Sequence, residues 1–365
     1  MQVVYTHDIF SRQSVGGISR YFVELIRGLS AQGINLRVLA GEYLNQHLYE
    51  LDGDPCLDGK YRPNAHRQRF RWSLNRWRKQ QLAGFRGSEA IVHHTYYSFQ
   101  RPARSARLVV TIHDMIPERF PDQFGWKAPF LSLAKRRSCD FADRILVNSQ
   151  TTKSDLVNWH GIDPDKVHVT YLGNSLLPYR GLHQPRPNDR PYLLYVGARK
   201  GYKNCQVLFE AFAASPKLRR DFSIVCFGGG PFSRREMRRI HELGIAGLVR
   251  QTGGDDGELA NYYSHAAAFV CPSIYEGFGM PAVEAMSFAC PVVVSDCGSI
   301  PEVVGPAGVY FNPHDRGMLT DVLETVLYNE SLKQKLRAEM EKRESHFRWE
   351  HTAQETLRCY ESIAA

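Results

Sequence analysis

Along this chain, short β-rich runs alternate with longer stretches in which apolar residues recur at helical spacing. "MQVVYT" leads into "GGISRYFVELIRGLSAQG", where Ile18, Phe22, Leu25, Ile26 and Leu29 fall on one helical face. "INLRVLAG", "EAIVHHTYY", "ARLVVTIHD", "DRILVNS" and "KVHVTYLGN" follow as strands, with helical patterns between several of them. A second alternating series begins at "YLLYVGA" and runs through "FSIVCFGGG", "AAAFVCPS" and "PVVVSD". Its last helical stretch is "LTDVLETVLYNESLKQKLRAEMEK". Such alternation predicts parallel sheets with helices on both faces. Between the two series, Ser175–Pro191 is rich in proline and polar residues and reads as a linker. Two doubly wound domains facing each other then predict a ligand in the cleft at their strand ends.

Length agrees with this division, since 365 residues exceed one ordinary core. At 43% apolar and 23% charged, the composition is that of a soluble globular protein. No apolar run approaches the ~20 residues that span a bilayer. "MQVVYTHDIF" has no basic region followed by an apolar stretch, so no secretory signal is expected. Eight cysteines are scattered without a C-x-x-C pair, which points to reduced thiols and a cytosolic setting.

Charge divides the chain unevenly. Residues 1–185 hold 25 Lys+Arg against 16 Asp+Glu, net +9, and the remainder 21 against 22, net −1, giving the overall +8. From Gly59 to Ala83 there are eight basic residues and no acidic ones, with Phe70, Leu74 and Trp77 on one helical stripe. A basic amphipathic helix of this kind suits an anionic membrane surface; the plainer alternative is a solvated basic face with its aromatics in the core. No nucleic-acid motif accompanies it, so nucleic acid is not an expected partner.

The chemistry concentrates in "SIYEGFGMPAVEAM", Ser273–Met286. The strand before it ends at Ser273, residues 274–280 form the loop at its C-terminal edge, and Pro281 suits the first helical position. Gly277 and Gly279 let backbone N–H groups come close to a ligand. The helix start then offers donors and partial positive charge to an anion, most naturally a phosphate. Glu276 precedes this anion site and Glu284 lies about one turn into the helix, so they address different ends of a ligand. A sugar at one end and a ribose at the other would fit carboxylates that accept from hydroxyls. A solvated Glu276, with Glu284 only complementing the helix dipole, is the structural alternative.

This constellation resembles the E-x7-E motif of retaining glycosyltransferases of the GT-B fold, in the large family GT4. The resemblance spans nearly the whole chain in order. "THDIF…VGGISRYFVELIRGL" looks like the family's N-terminal glycine loop, with Gly16 and Gly17 at the cleft, and "TIHDMIPERFP" like the His-Asp segment of its mannosyltransferase-like branch. "VGARKGYKN" looks like the diphosphate-binding turn. "CFGGGP" and "TGGDDGELANYYSHAAAFVCPS" look like the elements around the nucleotide, and "ACPVVVSDCGSIPEVVGPAGVYFNPHD" like the usual continuation. The implied fold is GT-B, with an acceptor-side domain over 1–185, a nucleotide-sugar domain over 186–345 and a C-terminal helix, 346–365, returning to the first.

By this resemblance Glu276 holds the donor hexose and supports an oxocarbenium ion, and Glu284 binds ribose. The backbone N–H groups of Phe278 and Gly279 lie near phosphate and sugar, and Lys203 pairs with the diphosphate. The arginine of the family's turn usually follows the glycine directly or precedes the lysine directly. Those places hold Ala198 and Tyr202 here, and Arg199 is given the diphosphate role instead. A solvated turn is the plain alternative for both cations. His113 and Asp114 end the apolar strand "RLVVTIHD" and should face the cleft, and the resemblance puts His113 on the donor sugar. A buried pair with Asp114 is the structural alternative for it. His93 and His94 are adjacent on a strand and point opposite ways, which argues against a shared metal; one of them, with Tyr96 or Tyr97, is expected in the acceptor region.

The implied activity is a metal-independent, retaining hexosyl transfer from a nucleotide diphosphate sugar, with GDP-mannose the leading donor. No cofactor is implied beyond this donor substrate. The expected acceptor is a lipid-linked or cell-surface glycan, at a cytoplasmic protein peripheral on the inner face of the plasma membrane. Other chemistries fit less well. "FGGGPFS" lacks the G-x-G-x-x-G spacing of a dinucleotide site. Asp52-Gly-Asp54 and Asp163-Pro-Asp165 match the Asp-x-Asp of metal-dependent transferases but lie in polar loops. A hydrolytic carboxylate pair must flank one bond within ~5–9.5 Å, which this loop–helix order does not suit. The non-enzyme alternative is a GT-B-like protein that only binds a carbohydrate or nucleic acid.

Overall fold

The computed structural model describes residues 1–63, 90–99, 106–182 and 184–364. Most of the basic stretch, including Arg67, Phe70, Arg71, Leu74, Trp77 and Arg78, lies outside the described residues. The chain forms two units: Met1–Gly173 with Arg348–Ala365, and Asn174–Phe347. The second unit therefore begins at Asn174, ahead of the 185/186 boundary read from the proline-rich run. Asn174 Nδ2 donates to Ser287 Oγ at 2.9 Å and Arg180 pairs with Glu344 at 2.9 Å, so the start of that run is built into the second unit.

The first unit holds a seven-stranded sheet: β1 Gln2–Thr6, β2 Asn35–Tyr43, β3 Leu57–Tyr61, β4 Ala90–His94, β5 Arg107–Ile112, β6 Arg144–Val147 and β7 Val167–Val169. Its order is β3-β2-β1-β4-β5-β6-β7, and every pairing is parallel. The central strands are continuous apolar runs because both faces are covered. Val4, Val92, Val110, Ile112, Ile145 and Val147 meet in one buried cluster.

In the second unit, β8 Tyr192–Val196, β9 Ser223–Phe227, β10 Val249–Thr252, β11 Ala268–Cys271, β12 Val292–Ser295 and β13 Gly308–Phe311 form a six-stranded parallel sheet. Its order is β10-β9-β8-β11-β12-β13. Helices Cys205–Ala214 and Arg316–Tyr328 pack Leu208, Phe212, Leu319 and Leu323 onto it.

Three strands escaped the alternating pattern: β3, β10 and β13. All three are sheet edges and are mostly half-buried or exposed, so one side of each carries no apolar signature. The last helical stretch is also two helices, Arg316–Tyr328 and Glu330–Glu344. Asn329 divides them: its backbone is extended and its side chain accepts from Leu332 N at 2.9 Å, capping the second.

Helix Trp349–Ala364 packs on helix Gly17–Ala31, where Gly28 leaves room for Ala353. A buried polar chain ties it to the sheet. Tyr5 and Tyr360 hydroxyls meet at 3.0 Å, Tyr360 bonds His93 Nδ1 at 2.6 Å, and His93 Nε2 bonds Thr111 at 2.8 Å. Among the described residues no helix is long and apolar enough to cross a membrane.

In each sheet the chain reverses direction of winding at one place, between β1 and β4 and between β8 and β11. Ligands of such sheets gather beyond the carboxyl ends of the strands at that point. In the second unit this selects the loops 197–204 and 272–279.

Candidate functional site

Helix Met280–Ser287 starts where β11 ends its loop, with Pro281 as its second residue. Gly279 adopts φ 93°, and an added Cβ would lie 2.5 Å from Ile300 Cδ1, so only glycine fits there. No side chain caps this helix; Pro281 has no N–H and Ala282 N donates to Gly279 O at 2.9 Å. Phe278 is buried with its ring edge-on to Phe347 at 5.7 Å, so only its backbone is available to a ligand.

Glu276 is buried, and its carboxylate is held from two sides. Ser273 Oγ donates to Oε1 at 2.6 Å, and Lys203 Nζ reaches both oxygens at 2.7 and 2.9 Å. Its carbonyl accepts from Ser299 N and Oγ at 3.2 and 2.9 Å. Gly298, at φ 60°, has no Cβ to strike the Glu276 backbone, which would lie 2.9 Å away. Lys203 comes from the loop after β8, joined to the β11 loop by Ile274 N donating to Tyr202 O at 2.7 Å. Burial opposes its charge most strongly, but the Glu276 carboxylate together with Tyr202 and Cys271 outweighs it and holds the Lys203 pKa above the usual lysine range.

Arg199 is placed differently from the expectation. Its guanidinium is buried and donates to Glu236 Oε1 at 2.8 Å and to the carbonyls of Gly228, Gly230 and Pro231 at 3.0, 2.8 and 3.1 Å. It also lies over the Phe232 ring, 4.6 Å from the centroid. These protein acceptors take up most of its N–H groups, and Arg199 braces the glycine loop. Nothing in the sequence marks those acceptors, which arrive from a loop some thirty residues away.

Glu284 projects from the helix with partial exposure, and the fully buried Tyr263 donates to its Oε2 at 2.9 Å. Burial, and then the neighbouring carboxylate, push the Tyr263 pKa well up, so the phenol remains a donor. Ser273 and Tyr263 were missed in the sequence. Ser273 is three residues from Glu276 and was findable; Tyr263 lies 21 residues from its partner.

In the first unit, His113 follows β5 and is buried against Tyr21 and Phe22, with centroids 5.0 and 6.2 Å away. Burial and then the Lys135 charge lower its pKa to about 3, so the ring is neutral. Its buried Nε2 has no hydrogen-bond partner among the described residues. Asp114 Oδ1 accepts from Ile116 N at 3.0 Å. Beneath this turn Lys135, fully buried, donates to Asp114 O at 2.8 Å and Glu118 Oε2 at 2.7 Å. Gly16 caps helix Gly17–Ala31 in an extended conformation, and Gly17, exposed, opens it.

His93 belongs to the Tyr360–Thr111 chain of the core, and His94 is buried beside it. Tyr97 is buried, while Tyr96 is half-buried with Arg12 over its ring at 4.9 Å. The Asp-x-Asp pairs form turns: Asp54 accepts from Cys56 N and Asp163 from Asp165 N.

Comparison with known proteins bears on both units. Residues 15–175 match the profile "Glycosyltransferase Family 4" and residues 183–344 the profile "Glycosyl transferases group 1". O-antigen chain mannosyltransferase B of Escherichia coli is 27% identical over 95% of this chain and 96% of its own. The MMP alpha-(1->4)-mannosyltransferase of Mycolicibacterium hassiacum is 29% identical over 78% of this chain and 73% of its own. The structure of a sucrose-phosphate synthase from Thermosynechococcus elongatus superposes with TM-score 0.77 at 20% identity, covering 99% of this chain and 98% of that one.

Proposed function

Since the chain belongs to the glycosyltransferases of family 4 and group 1, with the GT-B fold, we propose that it is a metal-independent, retaining mannosyltransferase. It would use GDP-mannose and a hydroxyl of a lipid-linked or cell-surface glycan. The buried Glu276 carboxylate, held by Ser273 and Lys203 beside an uncapped helix start, carries this reading. It sets a fixed anion and a fixed cation beside the positive end of a helix at one strand end, the charges that transfer of a glycosyl group from a diphosphate demands.

The acceptor oxygen attacks the anomeric carbon on the face the diphosphate leaves, as the carbon–oxygen bond to phosphate breaks. The hydroxyl proton passes to the departing phosphate oxygen, and no protein nucleophile is needed. Lys203 and the N–H groups of Phe278 and Gly279 meet the charge growing on the diphosphate. Fixed donors act best where charge develops. Glu276 faces the positive charge on the sugar, and Glu284, oriented by Tyr263, takes the ribose. Arg199 supports the glycine loop. Within the first unit, His113 offers a neutral ring whose buried Nε2 has no partner among the described residues. The relatives' mannosyltransferase names support mannose as the sugar.

A screen of nucleotide sugars, reading released nucleoside diphosphate and the anomer formed, tests this. GDP-mannose should turn over fastest, give the α product, and be unaffected by EDTA. Turnover confined to uridine sugars removes the donor assignment, a β product removes retention, and loss with EDTA restored by Mn²⁺ removes metal independence.

A further inference from the structure

Helix Lys127–Phe141 has one face in the core, through Ala128, Ala134, Lys135, Ser138 and Cys139. Its opposite face carries large apolar side chains in the open. Trp126 is 83% exposed, Phe130 58% and Leu133 49%, and Phe99 (43%) lies against Phe130 with ring centroids 5.1 Å apart. Trp126 is the helical residue before the first turn, so Trp126, Phe130 and Leu133 stand at i, i+4 and i+7 on one stripe. The stripe continues into the exposed Arg136 and Arg137, and Lys127 sits over the Trp126 ring, its ammonium 5.8 Å from the centroid. No ion pair neutralises these three cations among the described residues.

We propose that this face is a docking surface for an anionic lipid bilayer. Aromatic and leucyl side chains would enter the headgroup boundary, and Lys127, Arg136 and Arg137 would meet lipid phosphates. Three observations select this occupant. An indole and a phenyl ring flanked by unpaired cations is the composition of an interfacial helix face. The half of the chain that carries it holds the whole charge excess, net +9 over residues 1–185, which an anionic surface attracts. A second copy of the chain suits it less. Four partly exposed side chains offer on the order of 500 Å², short of the ~800 Å² per partner of a stable interface. Nor does residues 64–88 of this chain suit it, since that segment has seven basic and no acidic residues and would bring like charge to like. The inference deepens the reading of a lipid-borne acceptor. It is tested without donor or acceptor, so the two fail separately.

The test is co-sedimentation of the full chain with phosphatidylcholine vesicles, with and without phosphatidylglycerol. The chain should bind only the anionic vesicles, less tightly as salt rises. Trp126→Ala/Phe130→Ser/Leu133→Ser should weaken binding about tenfold or more, as interfacial apolar area is lost, with thermal midpoint and GDP affinity unchanged. Arg136→Glu/Arg137→Glu should weaken it with a smaller salt dependence remaining. Arg67→Glu/Arg71→Glu/Arg78→Glu, in the basic stretch, should leave a component that the apolar triple variant abolishes. The proposal is overturned if the chain binds no vesicles, binds uncharged ones equally, or binds undiminished in the apolar triple variant. It is equally overturned if that variant converts a dimer of the chain to a monomer.

Discussion

Glutamine in place of Glu276 keeps the side chain's shape and removes the charge that Ser273 and Lys203 hold. That charge faces the atom whose charge changes most in the proposed reaction. Glu276→Gln should therefore lower kcat by about 3 kcal/mol in barrier, a hundredfold or more. In the same proposal Glu284 binds a ribose that the chemistry leaves alone, so Glu284→Gln should raise donor Kd and spare kcat. Steady-state kinetics with GDP affinity measured separately decides between them; the reverse pattern would exchange the two roles. Tyr263→Phe removes one donor from Glu284 and nothing from the ligand. It should raise the Kd for GDP severalfold, by the ~1 kcal/mol of a hydrogen bond, with kcat unchanged; calorimetric titration reads it. Both carboxylates were legible because glycine, proline and strand-end signals lie within ten residues of them. Tyr263 and the acceptors of Arg199 were not, because they reach their partners only through the fold. A charge at a turn looks the same in sequence whether it meets a ligand or a carbonyl.

Within elements, strain marks the place where the loop turns into a helix. Gly279→Ala would force a Cβ into the left-handed region and onto Ile300. It should cost roughly 1–3 kcal/mol of stability and weaken GDP binding by displacing the helix start. Gly17→Ala is the contrast, since an added Cβ there meets nothing. Its stability should change by less than ~0.5 kcal/mol. Thermal midpoints and GDP titrations of both variants check the pair; equal loss in the two would refute the strain at Gly279. Interior strands were readable because each is apolar on both faces. Edge strands β3, β10 and β13 mix polar and apolar positions and were not. The single residue Asn329 divides what periodicity joined, because a cap acts through one side-chain bond that periodicity does not register.

For the molecule, burial of His113 sets a pH dependence. Its folded pKa is about 3 against 6.5 for the free side chain. Between these values the unfolded chain takes a proton that the folded one refuses, so stability falls as pH drops from 6.5 toward 3. The contribution is at most roughly 1.4 kcal/mol per pH unit, and burial of His93 adds in the same direction. Denaturant unfolding from pH 7 to pH 4 should show a shallower decline in His113→Gln than in the parent; an unchanged slope would mean that His113 is charged in the fold. The two-unit organisation was visible in the doubled alternation of strands and helices. Where the second unit begins was not, because proline-rich composition reports a lack of regular structure, and Asn174 and Arg180 are nevertheless bonded into the second unit.

Connectivity gives the first unit a late birth. Its sheet is complete in the chain by Val169, yet the helix that covers helix Gly17–Ala31 and supplies Tyr360 to the His93 chain leaves the ribosome only after the whole second unit. The second unit is one unbroken stretch, Asn174–Phe347. Domains generally mature in the order of synthesis, N-terminal first. Here the order inverts: the unit started first is completed after the second, and until residues 349–364 emerge His93 and the apolar side of helix Gly17–Ala31 wait for their partner.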